Sequence, residues 1–218
     1  IQKPESIKYE ERQLLIDLYD AEIRYNDEKI GDFLNEIQER GLLDNSLLVF
    51  TADHGDAFGE HDYYEHPRYL HDEITHVPLI VRPPGGINGK TISTPVSTLD
   101  IVTTIEGLLC KELEHSDRVS LLEAPENNST VFSQARGEGD NSHLRRYAAH
   151  TADESCFCER NRETGSITFD SGSSRALQIQ LKSHVEARIR YESGDSRPDS
   201  EEVNEEIERR LNALGYKE

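Results

Sequence analysis

Methionine is missing from all 218 residues, and the chain opens Ile1-Gln2-Lys3-Pro4, as a cut or processed end would. Cysteine is nearly missing too. Cys110, Cys156 and Cys158 are too few for a disulfide framework, and Cys-Phe-Cys lacks the spacing of zinc or redox pairs, so all three are expected to be free thiols. No run approaches the roughly 18 apolar residues of a membrane span, and no charged-then-apolar leader opens the chain. Both absences count against a membrane partner for these residues and weight the compartment toward the cytoplasm. Basic residues are scarce as well: 24 against 43 acidic ones, a formal charge of −19. Such a field repels nucleic acid and anionic lipid, and repels sulfate or phosphate esters unless a metal reverses its sign locally. Seventeen of the basic residues are arginine and the acidic ones are spread along the whole length, which reads as a salt-adapted, halophilic surface. Internal repeats and low-complexity tracts are absent.

What is present suffices for a folded unit. With 34% apolar and 31% charged residues, a chain of this length can bury a core beneath a polar surface. Its organising stretch runs from Leu47 to His61. Leu47 to Thr51 is apolar and β-rich without polar alternation, the pattern of a strand covered on both faces of a parallel sheet. Asp53, His54 and Gly55 follow at once. A carboxylate and an imidazole are thus offered at a strand end, where open α/β sheets bind their ligands.

Thr51-Ala52-Asp53-His54-Gly55, Gly59-Glu60-His61 and Val77-Pro78-Leu79-Ile80-Val81, in this order and spacing, resemble the second half of the catalytic domain of the sulfatases, in the alkaline-phosphatase-like superfamily. The resemblance covers about Tyr19 to Leu109 and continues more loosely to the C-terminus. It implies an α/β fold: a partial alkaline-phosphatase-like sheet flanked by helices over 1–125, with a small α+β C-terminal subdomain over 126–218.

Apolar residues at helical spacing from Leu14 to Ile37 predict one long helix over about Tyr9 to Arg40, broken at most once and ended by Gly41. Asn26 and Asp27 interrupt the stripe on the face expected to be buried. On the sulfatase helix that this one resembles, a tyrosine and an aspartate correspond to Tyr19 and Asp27, for which hydrogen bonds to a neighbouring loop are expected. Asp44-Asn45-Ser46 signals a turn. Residues 61–73, crowded with ionisable and aromatic side chains and lacking periodicity, read as a functional loop. Thr75 to Arg82 reads as a strand closed by Pro83-Pro84-Gly85-Gly86. A helix follows, capped by Ser97, Thr98 or Asp100. Further on, a polar linker is expected over Glu112 to Ser129, a strand over Thr130 to Gln134 and a loop over Gly137 to Ser142. Arg146–Thr151 and Ser166–Phe169 are expected to pair around a turn at Arg160 to Gly165. Helices are expected over Gln178 to Tyr191 and from Asp199 to Gly215.

Asp53 and His54 are the candidate metal ligands. A carboxylate and a neutral imidazole can hold a divalent cation that offsets the oxyanion of a sulfate or phosphate ester. An oxygen-rich site suits calcium or magnesium and an imidazole tilts toward manganese or zinc; the resemblance implies calcium first. His66 is the candidate catalytic residue, because the resemblance puts a lysine or histidine here against the ester oxygens and leaving group, and imidazole exchanges protons near neutral pH. His61, His71 and His76 have weaker claims. Glu73 or Asp72 could orient a histidine, with a salt bridge or a cap the plainer role.

The resemblance also implies a formylglycine nucleophile, made from the cysteine or serine of a Cys/Ser-x-Pro/Ala-x-Arg motif. No cysteine or serine here is followed by that pattern. The chain is therefore expected to be the C-terminal portion of a sulfatase-like hydrolase of small-molecule or saccharide sulfate esters, and to be inactive alone. Hydrolysis of phosphodiesters, phosphonates or phosphomonoesters within the same superfamily, and a non-catalytic metal- or partner-binding domain, are the other readings. Oligomeric state is left open.

Overall fold

The computed structural model describes residues 7–86, 89–109, 120–123 and 129–193. It is mixed α/β, with helices beside small antiparallel sheets, and falls into two units, 1–173 and 174–218. The helix expected from Asp199 lies outside the described residues, as does most of the linker from Glu112. Among the described residues no helix is long and apolar enough to cross a membrane.

Helix α1, Tyr9–Glu39, is continuous. The Glu11 carboxylate accepts the Lys8 N–H at 2.8 Å and caps the first turn. At the other end Gly41 takes φ 69°, donating to Gln38 O while Leu42 donates to Ile37 O, the paired bonds of a left-handed helix stop. No residue of α1 is buried, so the apolar stripe from Leu14 to Phe33 is largely exposed, and so are Asn26 and Asp27. The helix is nonetheless tied at its N-terminal end. Arg12 donates to Phe58 O and pairs with Glu60 at 2.8 Å, and the Tyr19 ring meets Phe58 edge-on, with centroids 5.1 Å apart.

Strand β1, Leu48–Thr51, pairs with a later strand, β4, Leu79–Arg82, in antiparallel register from Leu48 opposite Arg82 to Thr51 opposite Leu79. The expectation of a parallel partner and of cover on both faces is thereby corrected. An apolar run records that a strand is apolar, not the direction of its neighbour, and Phe50 and Ile80 remain 37% and 59% exposed. The strand expected from Thr75 also begins later. Thr75 closes a single helical turn, α2, Asp72–Thr75, by donating its hydroxyl to the carbonyl of His71, and the chain becomes a strand only after Pro78.

Between β1 and β4 the chain makes an excursion over 52–78. A two-residue hairpin, β2 (Ala57–Phe58) with β3 (Tyr64–Glu65), stands inside it, around a 3-10 turn at Glu60–Asp62. His61, Asp62 and Glu65 take φ of 52°, 63° and 63°, a left-handed backbone that non-glycine residues rarely adopt. Ala57, Leu70 and Ile74 are buried and form the floor of this excursion.

Helix α3, Asp100–Leu109, starts where expected. The Asp100 carboxylate accepts the Ser97 N–H and the Ser97 hydroxyl accepts the Leu99 N–H. A four-stranded antiparallel sheet follows in the order β5 (Val131–Arg136), β6 (Leu144–His150), β7 (Ser155–Asn161), β8 (Ile167–Phe169). Its core is β6, where Tyr147, Ala148 and Ala149 are buried, together with Cys156 and Cys158 on β7. Here the sequence reading is corrected again. β6 and β8 do not pair; β7 lies between them, and the turn at 161–166 joins β7 to β8. Cys156 and Cys158 are free thiols, as expected, and burial holds both above the ordinary thiol range, Cys158 at about 12. In the second unit, α4 (Arg175–Ser193) buries Leu177, Leu181 and Val185, one stripe at helical spacing.

Candidate metal centre

Asp53 and His54 leave the end of β1 together. The Asp53 carboxylate accepts the His54 N–H at 3.0 Å through one oxygen, while the other lies 3.8 Å from His54 Nε2. Its side chain is 89% exposed. His54 is oriented from behind: Nδ1 lies 3.0 Å from Gly55 O, so a proton on Nδ1 leaves the Nε2 lone pair facing outward. Gly55 anchors both. Its N–H donates to Ile74 O at 2.9 Å, and a Cβ in its place would stand 2.1 Å from Glu73 O.

His66 comes from the far side of the β2–β3 hairpin. Its Nδ1 lies 3.0 Å from Asp56 Oδ1, and its ring sits 4.5 Å from that of His54, tilted by 31°. The loop thus brings His54 and His66 together and adds a carboxylate, Asp56, that the sequence reading passed over. The signal was present: Asp56 follows His54 by two residues in Asp-His-Gly-Asp. One ligand atom from each of His54, Asp56 and His66 falls within 4.8 Å of the other two. The chemistry of these donors fits a divalent ion. Asp53 and His54 together offer oxygen and nitrogen donors on one side of the loop, and Asp56 and His66 add one of each.

Glu60 is held as a carboxylate. Partial burial opposes its charge, but hydrogen bonds from the Phe58 backbone N–H and from Arg12 outweigh it and lower its pKa. This pins the hairpin to α1. Three further histidines, His61, His71 and His150, form a separate group. The rings of His61 and His71 stack at 3.8 Å, Phe157 of β7 lies 4.7 Å from His71, and Glu73 reaches His61 at 3.8 Å. His150 Nδ1 sits 2.9 Å from the Ser155 hydroxyl and 3.4 Å from Asp72, so Asp72 reaches a histidine of β6 from the loop. Tyr63 and Tyr69 stack at 4.2 Å; burial and the hydrogen bond that the Tyr63 hydroxyl donates to Tyr69 push the Tyr63 phenol up to about 12. The Arg146 guanidinium lies over the Tyr69 ring, 4.1 Å from its centroid.

Burial lowers the pKa of both His71 and His150, reinforced by the neighbouring imidazoles and opposed by Glu73 and then Asp72 at His71 and by Asp72 at His150. A histidine depressed in the folded state binds its proton in the unfolded chain first. Its stabilising share is therefore complete above the ordinary value of 6.5 and is lost as pH falls below 6.5 toward the folded value. Thermal midpoints of the wild type and of His150→Gln, measured from about pH 7.5 to 5.5, are expected to show the steeper acid loss in the wild type. Parallel curves would show that His150 is not held neutral by burial.

The sulfatase family model matches residues 3–110, the segment that carries α1, β1, the excursion and β4. Those residues belong to the sulfatase family. Choline-sulfatase of Rhizobium meliloti is 34% identical over 108 residues, 48% of this chain and 21% of that protein. N-acetylglucosamine-6-O-sulfatase of Bacteroides thetaiotaomicron is 37% identical over 79 residues, 36% of this chain and 14% of that protein. An arylsulfatase of Clostridium perfringens is 30% identical over 136 residues, 55% of this chain and 26% of that protein. The matches thus span about a quarter or less of each sulfatase's own length, and the mixed α/β structure is a partial sulfatase fold.

Proposed function

We propose that this chain serves a metal-dependent sulfuric ester hydrolase, with 1–125 contributing to its catalytic domain and 126–218 forming its small C-terminal subdomain. The observation that carries the reading is the placing of Asp53 and His54 at the end of β1, with the His66 ring 4.5 Å from His54, inside the sulfatase-family segment. Asp53 and His54 Nε2 would hold the cation, calcium first. Bound there, the ion would supply positive charge against the sulfate oxygens in a chain whose own net charge is −19. His66, braced at Nδ1 by Asp56, keeps Nε2 for the leaving oxygen and would protonate it as the S–O bond breaks.

The substrate class is a sulfate ester of a small molecule or saccharide. Relatives named for choline, N-acetylglucosamine 6-O-sulfate and ulvan support that breadth. These 218 residues carry no formylglycine motif, so the nucleophile is not among them, and the chain alone is expected to turn over no ester.

The test uses the natural gene product assayed against 4-nitrophenyl sulfate and a saccharide sulfate. His66→Gln is expected to lower kcat about 100-fold or more on the saccharide ester, whose leaving alcohol needs a proton, and much less on the nitrophenyl ester, whose phenolate leaves unaided. Asp53→Asn should depress both. Turnover of phosphate esters with sulfate esters untouched would overturn the assignment to sulfate chemistry.

A further inference from the structure

We propose that His54, Asp56 and His66 form a site for a zinc-class divalent ion that does not use Asp53. Two imidazoles and one carboxylate suit first-row metals of borderline softness rather than calcium, which prefers oxygen donors in larger number. One of the three donor pairs already stands at the spacing such an ion needs. Two donors about 2.1 Å from one metal stand roughly 3.0 Å apart at a right angle and about 3.4 Å apart in a tetrahedron. His66 Nδ1 and Asp56 Oδ1 are 3.0 Å apart, and one donor atom from each of the three residues lies within 4.8 Å of the others. The ion takes the place of the proton now shared between His66 and Asp56, and that proton passes to solvent.

A second observation concerns His54. Metal-binding histidines commonly donate their other ring N–H to a carbonyl, and the 3.0 Å contact of His54 Nδ1 with Gly55 O sets up that arrangement, freeing Nε2. Gly55 is itself fixed by Ile74 O, so the imidazole stands on a braced backbone. The Asp56 side chain is 29% exposed against 89% for Asp53, which makes Asp56 the better-placed carboxylate.

This site shares His54 and His66 with the hydrolase reading but does not depend on it. Its occupant would draw His66 away from a leaving oxygen, so zinc and turnover would compete.

The experiment is titration of the 218-residue chain with cobalt(II), followed by visible absorption and calorimetry. One equivalent is expected to give an intensified d–d band, removed by one equivalent of zinc and diminished by calcium only at a large excess. Asp56→Asn and His66→Gln should weaken cobalt binding about tenfold or more, and Asp53→Asn, which removes a nearby charge but no ligand, markedly less. Both side chains sit on the surface loop, and far-UV circular dichroism confirms that the variants keep their fold. Absence of a band at one equivalent, or loss of binding in Asp53→Asn with retention in Asp56→Asn, would overturn the site. Either result would leave the sulfate-ester assay of the natural protein standing, since that assay reads turnover and not cobalt.

Discussion

Gly55→Ala is expected to destabilise the 1–173 unit by about 2–3 kcal/mol and to weaken metal binding along with it. The reason is distance rather than dihedral angle. A Cβ on residue 55 would stand 2.1 Å from the Glu73 carbonyl oxygen and 3.2 Å from its carbon, both backbone atoms that cannot rotate away. Relief requires the strand end and α2 to separate, which breaks the Gly55 N–H to Ile74 O bond and lets His54 swing. Ile74, one of the few buried side chains beneath the loop, loses its seat in the same movement. Gly31→Ala is the control. That glycine lies in α1 with open space around its missing Cβ, and alanine there should add up to about 1 kcal/mol of stability. Denaturant unfolding of the two variants against wild type makes the comparison. Equal stability of Gly55→Ala and wild type would mean that the close approach at Glu73 does not hold the loop.

Arg146→Ala is expected to cost about 2–4 kcal/mol, because one buried guanidinium joins three things. Its Nε donates to Glu159 at 2.7 Å on the neighbouring strand, its Nη1 donates to Arg68 O at 3.0 Å in the excursion, and its plane stacks on Tyr69 at 4.1 Å. Only 9% of the side chain is exposed, so water does not fully replace these bonds when they are removed. Lysine should restore only a small part, since an ammonium keeps the charge but neither forks between two acceptors nor stacks. A double-mutant cycle of Arg146→Lys with Tyr69→Leu, read by thermal unfolding, separates stacking from charge. If Arg146→Lys matches wild type, the fork and the stack contribute nothing and the position needs only a cation.

Much of the metal-bearing half was legible in the sequence because its signals are local. The stripe from Leu14 to Ile37 and the glycine at 41 sufficed for α1, and the abrupt stop after Thr51 put Asp53 and His54 at a strand end. What could not be read is contact between distant residues. The apolar run at 48–51 is the same whether its partner is parallel or antiparallel, and the stripe of α1 does not say that its residues stay exposed. Asp56 was overlooked because its role depends on His66, ten residues on and across a hairpin whose left-handed residues at 61, 62 and 65 carry no glycine to announce them. β7 was missed for another reason. Cys156 and Cys158 do alternate with Phe157 and Glu159 as in a strand with one buried face, but Phe157 between them is itself apolar and blurs the pattern.

The excursion over 52–78 also sets an order in time. Its two ends are held by the ladder between β1 and β4, and the last residue of that ladder is Arg82. A chain emerging from the ribosome can form the short hairpin early, since β2 and β3 are near neighbours. The Gly55 bond to Ile74 and the β1–β4 ladder must wait until β4 is out, and closing a loop of this length carries an entropic cost that the ladder has to offset. The imidazoles therefore reach their final spacing only after β4 has emerged, when the acidic helix α1 is already made, so a metal ion scavenged by the nascent chain before that point would meet isolated donors and not a site.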